Sequence, residues 1–567
     1  MNTCNSSSIK LLSSLLGILL FIVCPLLFPK VGEQQNSYVQ ELCFTALVWV
    51  ALGYKWLQRK ETVTVRLLDM AIGICLLALL LHLVWIKPVS LSVWRWIDIA
   101  GLTGLYLFVR CSSRADVRLL LACVMIGGLL QCLYAGLQGI GLFPSLHDAF
   151  PMTGSFLNPA PLAGYLTVLA CMAAATLFLG CLRGKRRKMV WGIMIVFVSF
   201  VLLLNSRAAL FALIVVAVGL GYSRLESKRK KLYAVILIVG LSLSLYGLYQ
   251  VREVSANGRL FIWKNTCEMI KDHPFTGVGI DRFKAEFSVY QAQYHRLQKE
   301  VPEKYYDGNT FLVFNEYLRA VAETGFLLPL LFLFPIGVVY SSRNRSPECR
   351  AAVSGIAGIL VFGCFSYPFS VFTLEVLTVL LLGIIGRESR VVYSWNRVKC
   401  FEMMIAGTTV ACIAFTLYGL KAVSVWNAHE QKYEEYAFWF RDNITFVRRH
   451  CHETLERGDT VQALCILDKA INRIPVAGFY QQRARLYVET GDCQKAENDY
   501  LFLRYLAPTS WDTVLELARL YRKMGRNKEA LDLLEPYTKI SPKEKTLEQK
   551  AVLLEMRELY SELQGIM

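Results

Sequence analysis

The chain has 567 residues, 55% of them hydrophobic, with a mean hydropathy of +0.41. A soluble chain of this length divides into domains with amphipathic patterning, whereas here the apolar residues stand in runs of roughly 18–22, the length that crosses a hydrocarbon core. The formal net charge of +17 raises nucleic acid as a partner, but its alternation between loops excludes that reading and leaves an orientation signal.

Lipid offers the backbone no hydrogen-bond partner, so each apolar run is expected to be a helix. Thirteen spans are expected, near 10–28, 39–57, 67–86, 96–110, 117–137, 162–182, 189–204, 207–222, 232–250, 311–340, 351–366, 369–386 and 401–421. The fold class is therefore all-α: a polytopic membrane protein of about 12–13 helices. The first run follows Lys10 and lacks a small-residue cleavage site, so it reads as a transmembrane helix rather than a removed signal peptide. Basic residues gather in alternate loops: Arg59/Lys60/Arg66, Arg110/Arg114/Arg118, Arg183 with Lys185 to Lys188, Arg224 with Lys228 to Lys231, Arg343/Arg345/Arg350, and Arg387/Arg390/Arg397/Lys399. The short loops between them hold only Lys30, Lys87, Arg95 and Arg207. This positive-inside pattern puts the amino terminus in the cytoplasm and everything after about Ala422 outside. The spans at 351–366 and 369–386 are divided only by SYPFS. Were they one span, the carboxy-terminal domain would flip to the cytoplasm, and the basic loops on both sides favour two. Of the seventeen cysteines, Cys43, Cys75, Cys123, Cys132, Cys171 and Cys364 lie in apolar runs, where a thiol behaves as a small hydrophobe. No CxxC or Cys/His spacing occurs, so no metal, cofactor or disulfide is assigned.

Three outward pieces carry unusual residues: 136–161 with Gly154, Ser155, Phe156, Asn158 and Pro159, the turn Asn205-Ser206-Arg207, and the long loop 251–310. Their common side points to a shared extracytoplasmic cavity. The stretch 257–331 is the longest polar interruption in the first 420 residues, and it re-enters an apolar run with Asn315, Glu316, Arg319 and Glu323 aboard. Ionisable groups at the mouth of a span mark a site by default. Arg207 reads either as an interfacial arginine snorkelling to headgroups or as a guanidinium fork aimed at phosphate. Arg259, in GRLFIW, poses the same question, and two arginines on one membrane face favour a diphosphate clamp. Gly277-Val278-Gly279 before Asp281-Arg282 suits a shaping turn better than a phosphate cradle, since the strand and helix context of a cradle is missing. Helical spacing puts Glu316, Arg319 and Glu323 on one face with Asn315 beside Arg319. Glu316–Arg319 reads equally as a structural ion pair, and Glu323, deeper by about two turns, has to be paired.

After residue 422 the composition becomes that of a soluble helical domain. Ala484-Arg485-Leu486-Tyr487 recurs as Ala518-Arg519-Leu520-Tyr521, 34 positions on, with Gly491/Gly525 and Ala496/Ala530 at the same spacing and Gly458 and Ala463 33 residues earlier. This is the tetratricopeptide signature, and three units are the minimum for a stack that binds a protein or peptide partner.

The ordered set GSFLNPAPLAGYL, NSRAAL, GRLFIWKNTCEMIKDHPFTGVGIDRF and FNEYLRAVAETGFLLPLL resembles the O-antigen ligase and polymerase family of bacterial polytopic glycosyltransferases. The resemblance covers most of 150–340. It implies a metal-independent transferase of the bacterial inner membrane that moves a glycan from an undecaprenyl-diphosphate carrier to a lipid A core, glycan or protein acceptor in the periplasm. Arg207 and Arg259 resemble the family's diphosphate-holding arginines. Asn315, Glu316, Glu323 and Asp307 are the other catalytic candidates, and Asn158, Arg282, Arg319 and His295 the substrate-binding ones. The family commonly carries a His before the Asn of its last motif; here Phe314 stands there. Asp307, His295 or Glu316 would take that role, or leaving-group stabilisation would dominate. The alternatives are a repeat-unit polymerase, which uses the same donor, a multi-span transporter, and an inactive assembly scaffold.

Overall fold

The computed structural model describes residues 15–19, 35–57, 63–86, 91–179, 182–222, 253–297, 310–395, 399–427, 433–539 and 547–566. Most of the span expected near 10–28, the span near 232–250, the basic run 224–231 and Asp307 lie outside the described residues. Apart from an antiparallel ribbon of Val63–Arg66 with Val391–Trp395, the described elements are helices. The chain forms two compact units, one of residues 1–253 with 314–432 and one of 254–313 with 433–567.

Among the described residues of the first unit, four helices are long and apolar enough to cross a membrane: Leu67–Trp85, Arg114–Gly139, Pro159–Leu179 and Glu402–Trp426. The outward face of the first of these helices is apolar as well. Leu77, Leu80, Leu81, Val84 and Trp85 are all exposed, a surface that is unfavourable in water and suited to lipid. Gln35–Leu57, Val93–Arg110, Gly184–Leu203, Pro347–Gly363 and Phe372–Glu388 are further helices at expected spans. The fold is thus the all-α, polytopic membrane architecture that the apolar runs imply. The SYPFS segment divides two helices, each of 17 residues.

Small residues let the helices approach closely, as apolar packing in lipid requires. A Cβ added to Gly164 would come 2.5 Å from the Phe362 ring, and one on Gly383 2.8 Å from Val109. These contacts lie in a continuous core with Leu105, Phe108, Leu166, Leu169, Ile359 and Leu377.

The expectation of one span over 311–340 needs correction, because three helices occupy it: Glu316–Thr324, Leu327–Leu331 and Leu333–Ser341. Gly325 breaks the first with φ 74, a conformation open to glycine. Pro329 and Pro335 then fall in the first turns of the next two, where a missing N–H leaves no bond unmade.

In the second unit, three helix pairs carry the 34-residue period: Ile444–Glu456 with Thr460–Ile471, Ala477–Thr490 with Cys493–Leu506, and Trp511–Lys523 with Asn527–Thr538, followed by Leu547–Ile566. Gly458, Gly491 and Gly525 stand between the partners of each pair at φ 81, 86 and 75, and Ala463, Ala496 and Ala530 are fully buried between helices. The long-loop segment, which composition placed with the membrane part, packs in this unit instead. Ala292 joins the core of Tyr500, Leu503 and Leu506, and Gln291 Nε2 donates to the Leu506 carbonyl at 3.0 Å. The loop segment and the carboxy-terminal helices therefore belong to one compact unit.

Candidate active site

The Glu316–Thr324 helix starts with strain and a cap. Phe314 has φ 57, a left-handed conformation that bulky residues rarely hold, and its ring meets Tyr367 edge-on at 5.3 Å. Asn315 returns to extended backbone, and its Oδ1 accepts the Tyr317 and Leu318 N–H groups at 3.1 and 3.0 Å. An amide oxygen there satisfies donors that the first helical turn leaves over.

One turn on, Arg319 gathers the charges. Its Nη1 lies 3.6 Å from Glu316 Oε2, its Nε lies 3.5 Å from Glu323 Oε1, and Nη1 donates to Ser370 Oγ at 2.7 Å. Glu316 Oε1 accepts the Phe369 N–H at 3.0 Å. Glu323 is only 6% exposed, a depth at which a carboxylate has to be paired. The face expected from helical spacing is present, and it docks on the 366–370 turn.

A second ionic pair stands at the start of the next helix. Arg95 donates to Glu375 through both terminal nitrogens, at 2.8 and 2.7 Å, the forked geometry of a strong charge-assisted contact. Asp98 lies 3.8 Å from Arg95. Glu375 occupies the first turn of Phe372–Glu388, directly after the turn that holds Glu316 and Arg319. Sequence reasoning passed over Arg95, Glu375 and Ser370. Two of them carried a readable signal: Arg95 is a rare cation in a charge-poor loop, and Glu375 is a carboxylate inside an apolar run.

Packing contacts bring Arg207 and Asn158 to the same end of the unit. Arg207 opens the Arg207–Tyr222 helix after Asn205, whose φ is 50. Phe211, one turn on, meets Phe365 edge-on at 5.4 Å. Phe365 follows the Pro347–Gly363 helix, and a Cβ on its last residue, Gly363, would lie 3.6 Å from Glu316 Cγ. Asn158 Oδ1 accepts the Ala160 N–H at 2.9 Å and starts Pro159–Leu179, which reaches Phe362 through Gly164.

The remaining candidates belong to the second unit. Arg259 is half-buried on Glu253–Asp272. Arg282 Nη2 donates to Glu286 Oε1 at 2.6 Å, while its Nε is buried without a hydrogen-bond partner. Gly277 and Gly279 have φ 62 and 108, so both serve the turn between two helices. His295 is 4% exposed, stacks on Phe261 at 5.4 Å, and has Nδ1 2.9 Å from the Tyr505 carbonyl. A carbonyl only accepts, so Nδ1 carries the proton and His295 ties the loop to the carboxy-terminal helices. Asp307 lies outside the described residues.

No curated protein matches the chain. A family model described as O-antigen ligase matches residues 163–333, a stretch that contains Arg207, Arg259, Asn315, Glu316, Arg319 and Glu323 and leaves out Arg95 and Glu375. The chain carries an O-antigen ligase family domain, built into a polytopic helical membrane protein.

Proposed function

We propose that this membrane enzyme transfers a glycan from an undecaprenyl-diphosphate carrier to a hydroxyl of a lipid A core, another glycan or a protein, at the periplasmic face of the inner membrane. The acceptor oxygen forms a bond to the anomeric carbon as the bond from that carbon to the phosphate oxygen breaks. The electron pair leaves with the lipid diphosphate, and the hydroxyl proton passes to a carboxylate or to the departing phosphate. Arg207 and Arg259 hold the diphosphate, where fixed cations lower the barrier by stabilising charge that grows on the leaving group. Asn315, Glu316 and Glu323 organise the acceptor side, with Asp307 close in sequence, and Asn158 and Arg282 contact the glycan. Because His295 is committed to Tyr505, this reading assigns it no proton transfer.

The observation that carries the reading is the coincidence of the family match with the charged cluster. Arg319, its two carboxylates and the Arg207 helix start share one end of the membrane helices, inside the matched stretch. The packing of the 254–313 loop on the carboxy-terminal helices supports placing both in the periplasm, with the repeats as a tetratricopeptide stack for a protein partner. The test is transfer from a purified lipid-diphosphate donor by the full chain. Arg207→Ala should reduce transfer by about tenfold to a hundredfold at unchanged expression, since a charge-assisted contact contributes about 1.5–3 kcal/mol. Retained transfer would remove the clamp. The surface glycan of a deletion strain separates ligase from polymerase: single repeats attached indicate a polymerase, and none attached a ligase.

A further inference from the structure

At the opposite end of the same two helices, four loops far apart in sequence meet around one cavity. It measures about 450 Å³ and is lined by Arg66, Arg114, Arg345, Ser346, Arg387 and Glu388. Its position follows from helix direction. Ser346 caps the start of Pro347–Gly363, whose far end reaches Glu316. Glu388 closes Phe372–Glu388, whose first turn carries Glu375. A helix of 17 residues is about 25 Å long, so this cavity and the Arg319 cluster stand on opposite faces of the bilayer.

The positive-inside bias accounts for arginines on this face, but not for their convergence. Structural arginines nearby each have a carboxylate. Arg110 is 3.1 Å from Asp69 and Arg118 2.6 Å from Glu348. Two of the four lining arginines share Glu388, which stands 3.9 Å from both Arg114 and Arg387. Its oxygens already accept the Ser346 N–H at 3.0 Å and the Ser346 hydroxyl at 2.5 Å. Four guanidiniums thus face one engaged carboxylate among the described lining residues.

The arrangement is also held in place. Arg66 Nη1 donates to the Ser389 carbonyl at 2.8 Å, its backbone N–H to Asp69 at 2.9 Å, and it pairs with Val391 in the ribbon. Its Nε remains buried without a hydrogen-bond partner. Burial first, and the charge of Arg110 second, push this guanidinium below its usual range. An anion in the cavity would relieve both, and planar guanidiniums match the oxygens of phosphate.

We propose that this cavity is a phosphate site. It takes a phosphomonoester or phosphodiester, carried either by an anionic phospholipid of that leaflet or by a small soluble phosphate. Basic pockets between membrane helices on the cytoplasmic side are suited to such headgroups. The site is independent of glycan transfer.

The test uses the full chain in phosphatidylcholine nanodiscs. One arm adds phosphatidylglycerol and measures retained lipid by native mass spectrometry; the other adds glycerol 3-phosphate, a soluble phosphomonoester, and measures binding by calorimetry. The variant is Arg114→Gln with Arg345→Gln, both exposed at the rim and tolerant of change. The control is Arg186→Gln with Arg187→Gln, which removes the same charge from another basic loop. Binding of one probe is expected, weakened on the order of tenfold or more in the rim variant and less than about twofold in the control. Whichever probe binds identifies the source of the phosphate. Equal weakening in both variants would reduce the cavity to a diffuse positive field, and binding of neither probe would overturn the site.

Discussion

Replacing Arg319 by Met tests how the charged cluster is held. The guanidinium lies 3.6 Å from Glu316 and 3.5 Å from Glu323, and the three side chains are 23%, 9% and 8% exposed. At an effective dielectric constant of about 20, a pair at that distance attracts by about 4–5 kcal/mol. Desolvation takes back much of this, but removal of one partner strands the other, and that typically costs about 3–5 kcal/mol. The two carboxylates differ in what they keep. Glu316 accepts the Phe369 N–H besides facing Arg319, whereas Glu323 lies deeper against the same guanidinium. Arg319→Met should therefore destabilise the first unit strongly. Adding Glu316→Gln or Glu323→Gln, each of which removes a stranded charge, should recover part of the loss. Thermal unfolding of the purified chain in detergent, run beside lipid-donor transfer, reads both. A midpoint equal to that of the unsubstituted chain, or no rescue by either second substitution, would refute the reasoning.

The Arg95–Glu375 fork should show a double-mutant coupling of about 1–3 kcal/mol between Arg95→Gln and Glu375→Gln, measured by unfolding midpoints; independent effects would mean that the fork holds nothing. Arg483 bridges Asp499 and Asp468, each at 2.6 Å, with Asp499 only 8% exposed. Arg483→Met should cost about 3–5 kcal/mol by leaving Asp499 buried and unpaired, seen as faster hydrogen exchange across 477–506. Burial lowers the pKa of His450, against weaker opposing effects of Glu434 and Glu453. A depressed histidine is neutral in the fold, so its contribution is intact above the unfolded value near 6.5 and fades as pH falls through it, with a slope of at most about 1.4 kcal/mol per pH unit. Exchange protection of the 444–456 amides should drop between pH 7 and 5, and His450→Phe should flatten that slope.

The architecture was legible because its signals are long and redundant. Apolar runs, alternating basic loops and a 34-residue period each repeat often enough to outvote local exceptions. The site was legible only in its parts. Glu316, Arg319 and Glu323 share a face by helical spacing alone, and their ion pairs follow from that. The break at Gly325 was not legible, because an apolar run reads the same whether it is one helix or three, and Pro329 and Pro335 announce a kink without its place. Nor were the partners of Arg319 and Arg95 across the fold. Ser370 is 51 positions from Arg319, and Glu375 is 280 from Arg95, separations that no local pattern encodes. The 254–313 segment looked like a loop of the membrane part because composition records solubility. Its attachment to Leu506 and Tyr505 depends on a few polar atoms.

Position 314 joins these strands. Where the resemblance leads one to expect a histidine, the chain has a phenylalanine with φ 57, beside the turn that binds Glu316 and Arg319. A left-handed backbone costs a bulky residue about 1–2 kcal/mol and persists only when its surroundings over-determine it. Here the surroundings are the Tyr367 ring on one side and the Asn315 cap on the other. The backbone at this point aims residue 314 at the 366–370 turn and sets Asn315 to open the helix. A phenylalanine offers no proton acceptor at this position, so the strain at residue 314 serves the placement of the helix start rather than base chemistry by its own side chain.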